Sequence, residues 1–312
     1  MSEREIVCEE LNLALSRFRE EGFRLDVIYP ADDPHAALLS RGAEVVRLTT
    51  RPGAEPPSAA MPPFAPEFVL TSAGGDSGMG RAGMHYRDLI PGRLGGRYIA
   101  SHITIAEGGP VADWVHYHRV AFQMIFVAKG WVRVVYEDQG EPFVMEAGDL
   151  VLQPPGIRHR VLDSSPGLEV IEISAPALHE TFADHALDLP NQRIDRERLF
   201  DGQRFLRHVA TEAPWTERNG FEAQLTGMKE ASNGFADVQV LKPGSAAAIH
   251  FAGHDGELLF GFALQGSARL DAGDGFDLAS GDAFVIPPGA EWGLSAATGD
   301  LRLLHVATVE SA

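Results

Sequence analysis

The residues best suited to chemistry lie in two short segments. GPVADWVHYHRVAFQMIFVAKG, residues 109–130, places His116 and His118 one residue apart, with Gln123 five residues further on. Alternate side chains of an extended strand share a face, so both imidazoles can point into one interior. GDLVLQPPGIRH, residues 148–159, ends in His159. Its Pro154, Pro155 and Gly156 supply a tight turn that can return this ring toward the other two. Three imidazoles and an amide oxygen can bind one divalent first-row metal ion and leave coordination positions open. All four donors are neutral, so such an ion would keep its full charge and favour an anionic partner: a carboxylate, an enolate or a hydroxide. Glutamine is no proton acceptor at ordinary pH, so a base would have to come from elsewhere.

Three further residues are candidates for the pocket. His102 lies on the strand before the first segment, at a parity that can face inward. Arg158 and Arg160 flank His159, and an arginine turned into the cavity could hold a carboxylate through two hydrogen bonds. Left on the turn, the same arginines would only be solvated. Asp163, four residues after His159, is read as a turn-holding residue.

The second segment is nearly repeated by GDAFVIPPGAEW, residues 281–292, which ends in Trp292 instead of histidine. Placing Gly130 on Gly266 gives an offset of 136, and placing Gly148 on Gly281 gives 133. A period this long means a duplicated domain rather than a solenoid. These offsets put His254 at the place of His118, Ala252 at His116, Leu259 at Gln123 and Trp292 at His159. The later copy is therefore expected to keep its fold, lose its ligands and fill its interior with the indole.

The two segments resemble the paired motifs of the cupin family. The first family motif runs Gly, a gap, His-x-His, three or four residues, Glu, six residues, Gly; here Gly109, His116, His118, Gln123 and Gly130 match it, with Gln in place of Glu. The second runs Gly, five residues, Pro-x-Gly, two residues, His, three residues, Asn; here Gly148, Pro154, Gly156, His159 and Asp163 match it, with Asp in place of Asn. With the repeat included, the chain resembles a bicupin. That resemblance implies an all-β fold of two tandem jelly-roll barrels. It also implies one divalent metal ion per chain, held by His116, His118, His159 and Gln123. Iron(II) is the first expectation, and manganese, nickel, copper or zinc would suit the same ligands. Bicupins resembling quercetin, diketone or gentisate dioxygenases imply an oxidoreductase acting on a small anionic oxygenated substrate. A non-redox lyase, isomerase or hydrolase, or a non-catalytic small-molecule-binding protein, are the alternatives. A homo-oligomer is implied as well.

The elements that must position these residues are legible in outline. Short β-rich runs punctuated by Gly, Pro and Asp, such as YIASHITIA, DLVLQPP and LEVIEIS, imply a sandwich or barrel, and a second series begins after residue 220. The expected division is residues 1–67 as an N-terminal α/β extension, helical at its start and strand-like over AEVVRLTT, with a proline-rich arm, 68–185 as the metal-binding barrel and 186–312 as the degenerate barrel. In the extension, Ser2 and Glu5 have the spacing of a capping box. Leu11, Leu15 and Phe18 follow at helical spacing and Gly22 can end that helix. A helical turn is expected near 33–39 and helical links within 178–200. The glycine-rich stretch 74–83 lacks the phosphate-binding loop spacing and reads as a loop that could cover the first barrel.

Composition narrows the function classes. A net charge of −18 disfavours nucleic-acid binding. No apolar run approaches the roughly 20 residues that span a bilayer, so no membrane partner is expected. One cysteine, Cys8, excludes an internal disulfide, and a charged N-terminus without an apolar core points to the cytoplasm.

Overall fold

The run FQMIFVAK forms the strand Phe122–Lys129, antiparallel to Leu150–Leu152 on one side and Leu168–Ala175 on the other. Leu168–Ala175 pairs onward with Ile99–Ile105. These strands form one wall of the first barrel. The opposite wall holds His116–His118, His159–Ser164, Trp131–Tyr136 and Phe143–Glu146. A computed structural model describes this arrangement for residues 3–53, 56–58, 60–80, 84–218 and 220–308. The second barrel repeats it. Leu259–Gln265 lies between Ala283–Val285 and Arg302–Thr308, opposite a sheet containing Ala248–Phe251 and Trp292–Ser295.

The two barrels meet along an apolar seam. Met124, Phe126, Ile171 and Ile173 of the first pack in one cluster with Val238, Phe260, Leu304 and Val306 of the second. Phe122 stacks on Phe235 with ring centroids 4.9 Å apart. Each such side chain contributes about 1.5–3 kcal/mol when fully buried, so the seam is held as a core is held. It also explains why these strands are apolar on both faces: one face looks into a barrel and the other into the seam.

Two short strands cross between the barrels. Val69–Thr71 pairs with Ala283–Val285 in the second barrel's sheet, and Leu206–His208 pairs with Leu150–Leu152 in the first. Each covers a sheet margin that would otherwise expose unpaired backbone groups.

The N-terminal piece is more strand than helix. Glu3–Val7, Arg24–Tyr29, Ala36–Arg41 and Glu44–Thr49 form a sheet, joined to the first barrel through Arg24–Tyr29 pairing with Thr181–Ala183. The single helix there, Leu11–Glu20, buries Leu11, Leu15 and Phe18 as their spacing predicts. The expected capping box is not its start. Glu5 sits in the strand Glu3–Val7, Ser2 lies outside the described residues, and the helix begins after Glu10 without a side-chain cap. The helical turn expected near 33–39 is corrected to the strand Ala36–Arg41, because pairing on both sides overrides the helix propensity of its Ala and Leu residues. The links expected to be helical within 178–200 are turns and short strands. Thr181–Ala183 pairs with His116–His118, and Asp184 accepts the amides of Ala186 and Leu187 to hold a turn. In the stretch 74–83, Gly78–Met79 pairs with His85–Asp88, and residues 81–83 lie outside the described residues. Among the described residues, no helix is long and apolar enough to cross a membrane.

Candidate metal centre

His116 and His118 occupy the strand His116–His118, and both are buried. Tyr117 between them points the other way and stacks on Phe182 at 5.0 Å. The alternation predicted for an extended segment is therefore realised. His159 arrives by the predicted turn. Gly156 takes a left-handed φ of +74°, and the Ile157 amide donates to the Pro154 carbonyl at 3.1 Å. The strand that follows places His159 directly across from His116.

The three rings converge. Their centroids lie 4.2 Å apart for His116 and His159, 5.1 Å for His116 and His118, and 5.3 Å for His118 and His159. One ligating nitrogen of each lies within 4.8 Å of the others. The surrounding hydrogen bonds fix how the rings present themselves. His116 Nδ1 lies 2.7 Å from the Trp114 carbonyl, and His159 Nδ1 lies 3.1 Å from the Ile157 carbonyl. A carbonyl can only accept, so in each neutral ring Nδ1 carries the proton and Nε2 carries the lone pair. His118 Nδ1 lies 3.1 Å from the Thr181 hydroxyl. Behind His116, the Asp113 carboxylate stands 3.5 Å from Nδ1 and accepts the Val161 amide, a backing group that favours a cation on the far side of the ring. Three buried imidazoles with fixed orientation form a donor set that fits one first-row metal ion.

The rings open onto a cavity of about 80 Å³. Most of its wall is aliphatic, from Ile103, Ile105, Ile125, Val132, Val134, Met145, Val161, Leu168 and Val170. Met84 and Tyr86, which follow the glycine-rich stretch, also line it. Its polar lining is confined to the three histidines and to Tyr86, Tyr136, Gln153 and Glu172. Tyr136 stacks on His159 at 5.5 Å and accepts a 2.7 Å hydrogen bond from the Gln153 amide. Burial pushes its phenol well above the ordinary range and keeps it protonated.

Sequence reasoning and geometry part company at four residues. Gln123 is buried, but its amide nitrogen donates to the Glu172 carboxylate at 3.0 Å, and it is not among the residues lining the cavity. His102 faces away. The pleat turns Ile103 and Ile105 toward the cavity, which leaves His102 on the seam side, tilted against Phe262 and 3.0 Å from Glu169. Arg158 also faces outward, over the Tyr117 ring and paired with Asp184 at 3.0 Å. Arg160 sits between His159 and Val161, which both line the cavity, so alternation directs it outward too. The polar residues missed were Tyr86, Tyr136, Gln153 and Glu172. Glu172 lies in LEVIEIS, a strand apolar on both faces, where periodicity cannot say which face is inward.

The second barrel shows what stands in place of the three histidines. Strand register puts Phe251 opposite Trp292, as His116 stands opposite His159. This corrects the offset that placed Ala252 at His116. Phe251 and Trp292 stack at 4.2 Å and 14°, with His305 against the other side at 5.9 Å. The Trp292 indole nitrogen has no hydrogen-bond partner among the described residues, so packing alone holds the plug. His254 is engaged with the Ile286 carbonyl at 2.8 Å, and His250 is exposed. Burial, and then the neighbouring His254, push His305 down to about 4.

Comparison with known proteins agrees with this architecture. Residues 101–173 match the family model described as Cupin domain. Among solved structures, protein Ylba from E. coli is similar at 10% identity and a TM-score of 0.56, covering 78% of this chain and 92% of its own. The Lactobacillus farciminis oxalate decarboxylase formate complex is similar at 16% identity and a TM-score of 0.55, covering 77% and 86%. A mutant of Bacillus subtilis oxalate decarboxylase is similar at 12% identity and a TM-score of 0.56, covering 85% and 81%. At these identities the likeness speaks for the fold. No curated protein matches this chain.

Proposed function

We propose that this chain, a member of the cupin superfamily with the two-barrel bicupin fold, is a metal-dependent oxidoreductase, a dioxygenase working in its first barrel on a small anionic oxygenated substrate. The observation that carries the reading is the convergence of His116, His118 and His159 at the wall of a mostly apolar cavity. The three imidazoles would hold one divalent ion, with iron(II) as the expected metal. Bound there, the ion would supply redox chemistry and a positive charge for the substrate's oxygen. The chain's own share is positional. Trp114, Ile157 and Thr181 orient the rings through Nδ1. The aliphatic wall excludes water and so strengthens the charge interactions inside. The second barrel, stacked full by Phe251 and Trp292, is read as structural.

The test is elemental analysis of the purified protein, followed by oxygen uptake with the iron-loaded protein across aromatic hydroxyacids, flavonols and diketones. One ion per chain and oxygen consumption with one of these classes are expected. Absence of any stoichiometric metal would sink the reading. A non-redox reading has one observation in its favour, the Glu172 carboxylate in the cavity, which can accept a proton. Turnover retained with zinc under nitrogen would select it.

A further inference from the structure

Glu172 is the one carboxylate among the described residues that line the metal cavity, and it does not sit there loosely. The Gln123 amide donates to its Oε1 at 3.0 Å, and the Ser174 hydroxyl donates to the same oxygen at 3.2 Å. The opposite orientation of the Gln123 amide would set two oxygens against each other, so the donor assignment is chemically determined. Both hydrogen bonds consume Oε1. Oε2 accepts none among the described residues and is the oxygen that remains for a ligand. Glu172 does not join the cluster in which all ligand atoms lie within 4.8 Å, so it lines the cavity outside the three-histidine group.

The duplicated barrel supplies an internal control. Gln123 pairs across the sheet with Ser174, and Ile125 with Glu172. At the matching places, Leu259 pairs with Ala307, and Gly261 with His305. Where the metal ligands are replaced, all three members of this carboxylate clamp are replaced with them. A clamp that served only to hold the strands together would have no reason to vanish with the ligands.

We propose that Glu172, held by Gln123 and Ser174, reads a hydrogen-bond donor on the substrate, and that the substrate is therefore a mostly apolar monoanion carrying a hydroxyl or amine. This rests on the reading of the first barrel as a metal-bound substrate site. The anionic oxygen goes to the metal, the aliphatic wall takes the apolar body, and the donor meets Oε2. No Arg or Lys is among the described residues lining the cavity, so a second carboxylate would find Glu172 and no cation to receive it. Dicarboxylates are selected against. Gln123 is thus a positioning residue that acts through Glu172.

The experiment uses the full chain loaded with cobalt(II), whose visible absorption reports ligand binding. The probes are 3- and 4-(hydroxymethyl)benzoate, their methoxymethyl counterparts, and isophthalate. At least one hydroxymethyl probe should bind about tenfold or more tightly than its methoxymethyl partner, as expected for a hydrogen bond to a charged group. Isophthalate should bind more weakly than either hydroxymethyl probe. Glu172→Leu should abolish the hydroxymethyl preference, and Gln123→Leu should cut it severalfold. In both variants, cobalt affinity measured by competition with a chelator should stay within about threefold of the unaltered protein, as expected if the three histidines alone hold the ion. Equal binding within each probe pair, a preference that survives Glu172→Leu, or no binding by any probe would overturn the proposal and leave the metal reading standing. Failure of cobalt to bind the unaltered protein would overturn both, and would be seen before any probe is added.

Discussion

The two barrels set an aromatic pair at the same place and the same separation. In the first, His116 and His159 lie 4.2 Å apart with their planes at 56°; in the second, Phe251 and Trp292 lie 4.2 Å apart at 14°. The strand pairing beneath each pair is the same. What differs is the ring edge. Imidazoles that each spend one nitrogen on the backbone can turn the other toward a shared ion. Phenyl and indole rings have no such lone pair, so flattening against each other is their best use of the space. The scaffold sets where the rings stand, and the ring type decides between a site and a plug.

The sharpest way to break this comparison is to remove one ring from each pair. His159→Ala should lower metal affinity more than about a hundredfold, beyond the roughly 10–100-fold typical of losing a residue that only supports a ligand. It should change the melting temperature little in metal-free protein. Trp292→Ala should do the reverse. Metal stoichiometry should stay the same, while the cavity left by the indole should cost about 3–5 kcal/mol in denaturant unfolding. If Trp292→Ala lost the metal instead, the division of labour between the barrels would fail.

A second difference appears with pH. His305, beside the plug, is pushed down to about 4 from an ordinary 6.5, mainly by burial. The unfolded chain therefore takes up a proton on this residue at a pH where the folded chain does not. His305 contributes its full share above pH 6.5 and loses it as pH falls toward about 4. Urea unfolding at pH 7 and pH 4.5 should show His305→Gln losing about 2–3 kcal/mol less over that interval than the unaltered protein. An equal loss would mean that the imidazole is not held uncharged inside the second barrel.

The smallest effect is expected at Arg158. Half-exposed, paired with Asp184 and lying over Tyr117, it belongs to the outside of the first barrel. Arg158→Ala should leave metal affinity within about twofold and cost no more than about 1 kcal/mol. A large loss of probe binding in this variant would return the arginine to the cavity.

The convergence of the three histidines was legible because their signal is local: a period of two over three residues, and a turn written in Pro154, Pro155 and Gly156. Trp292 as the plug was legible by alignment of the chain with itself. The misreading of His102 and the omission of Glu172 share another cause. Both lie on strands with apolar residues on both faces, where alternation no longer separates inside from outside. Which face meets the cavity is decided by the seam between the barrels, a contact between residues more than a hundred positions apart in sequence. One strand of the N-terminal sheet, Ala36–Arg41, was misread for a related reason. Ala36–Arg41 has helix-favouring composition and becomes a strand because its neighbours pair with it.

The two crossing strands, Val69–Thr71 and Leu206–His208, have a consequence for how the molecule comes apart. Cutting the chain between the barrels would take a border strand from each and expose raw edges on both products. Each half borrows a border strand from the other, and the plugged barrel thereby helps to close the barrel that carries the three histidines.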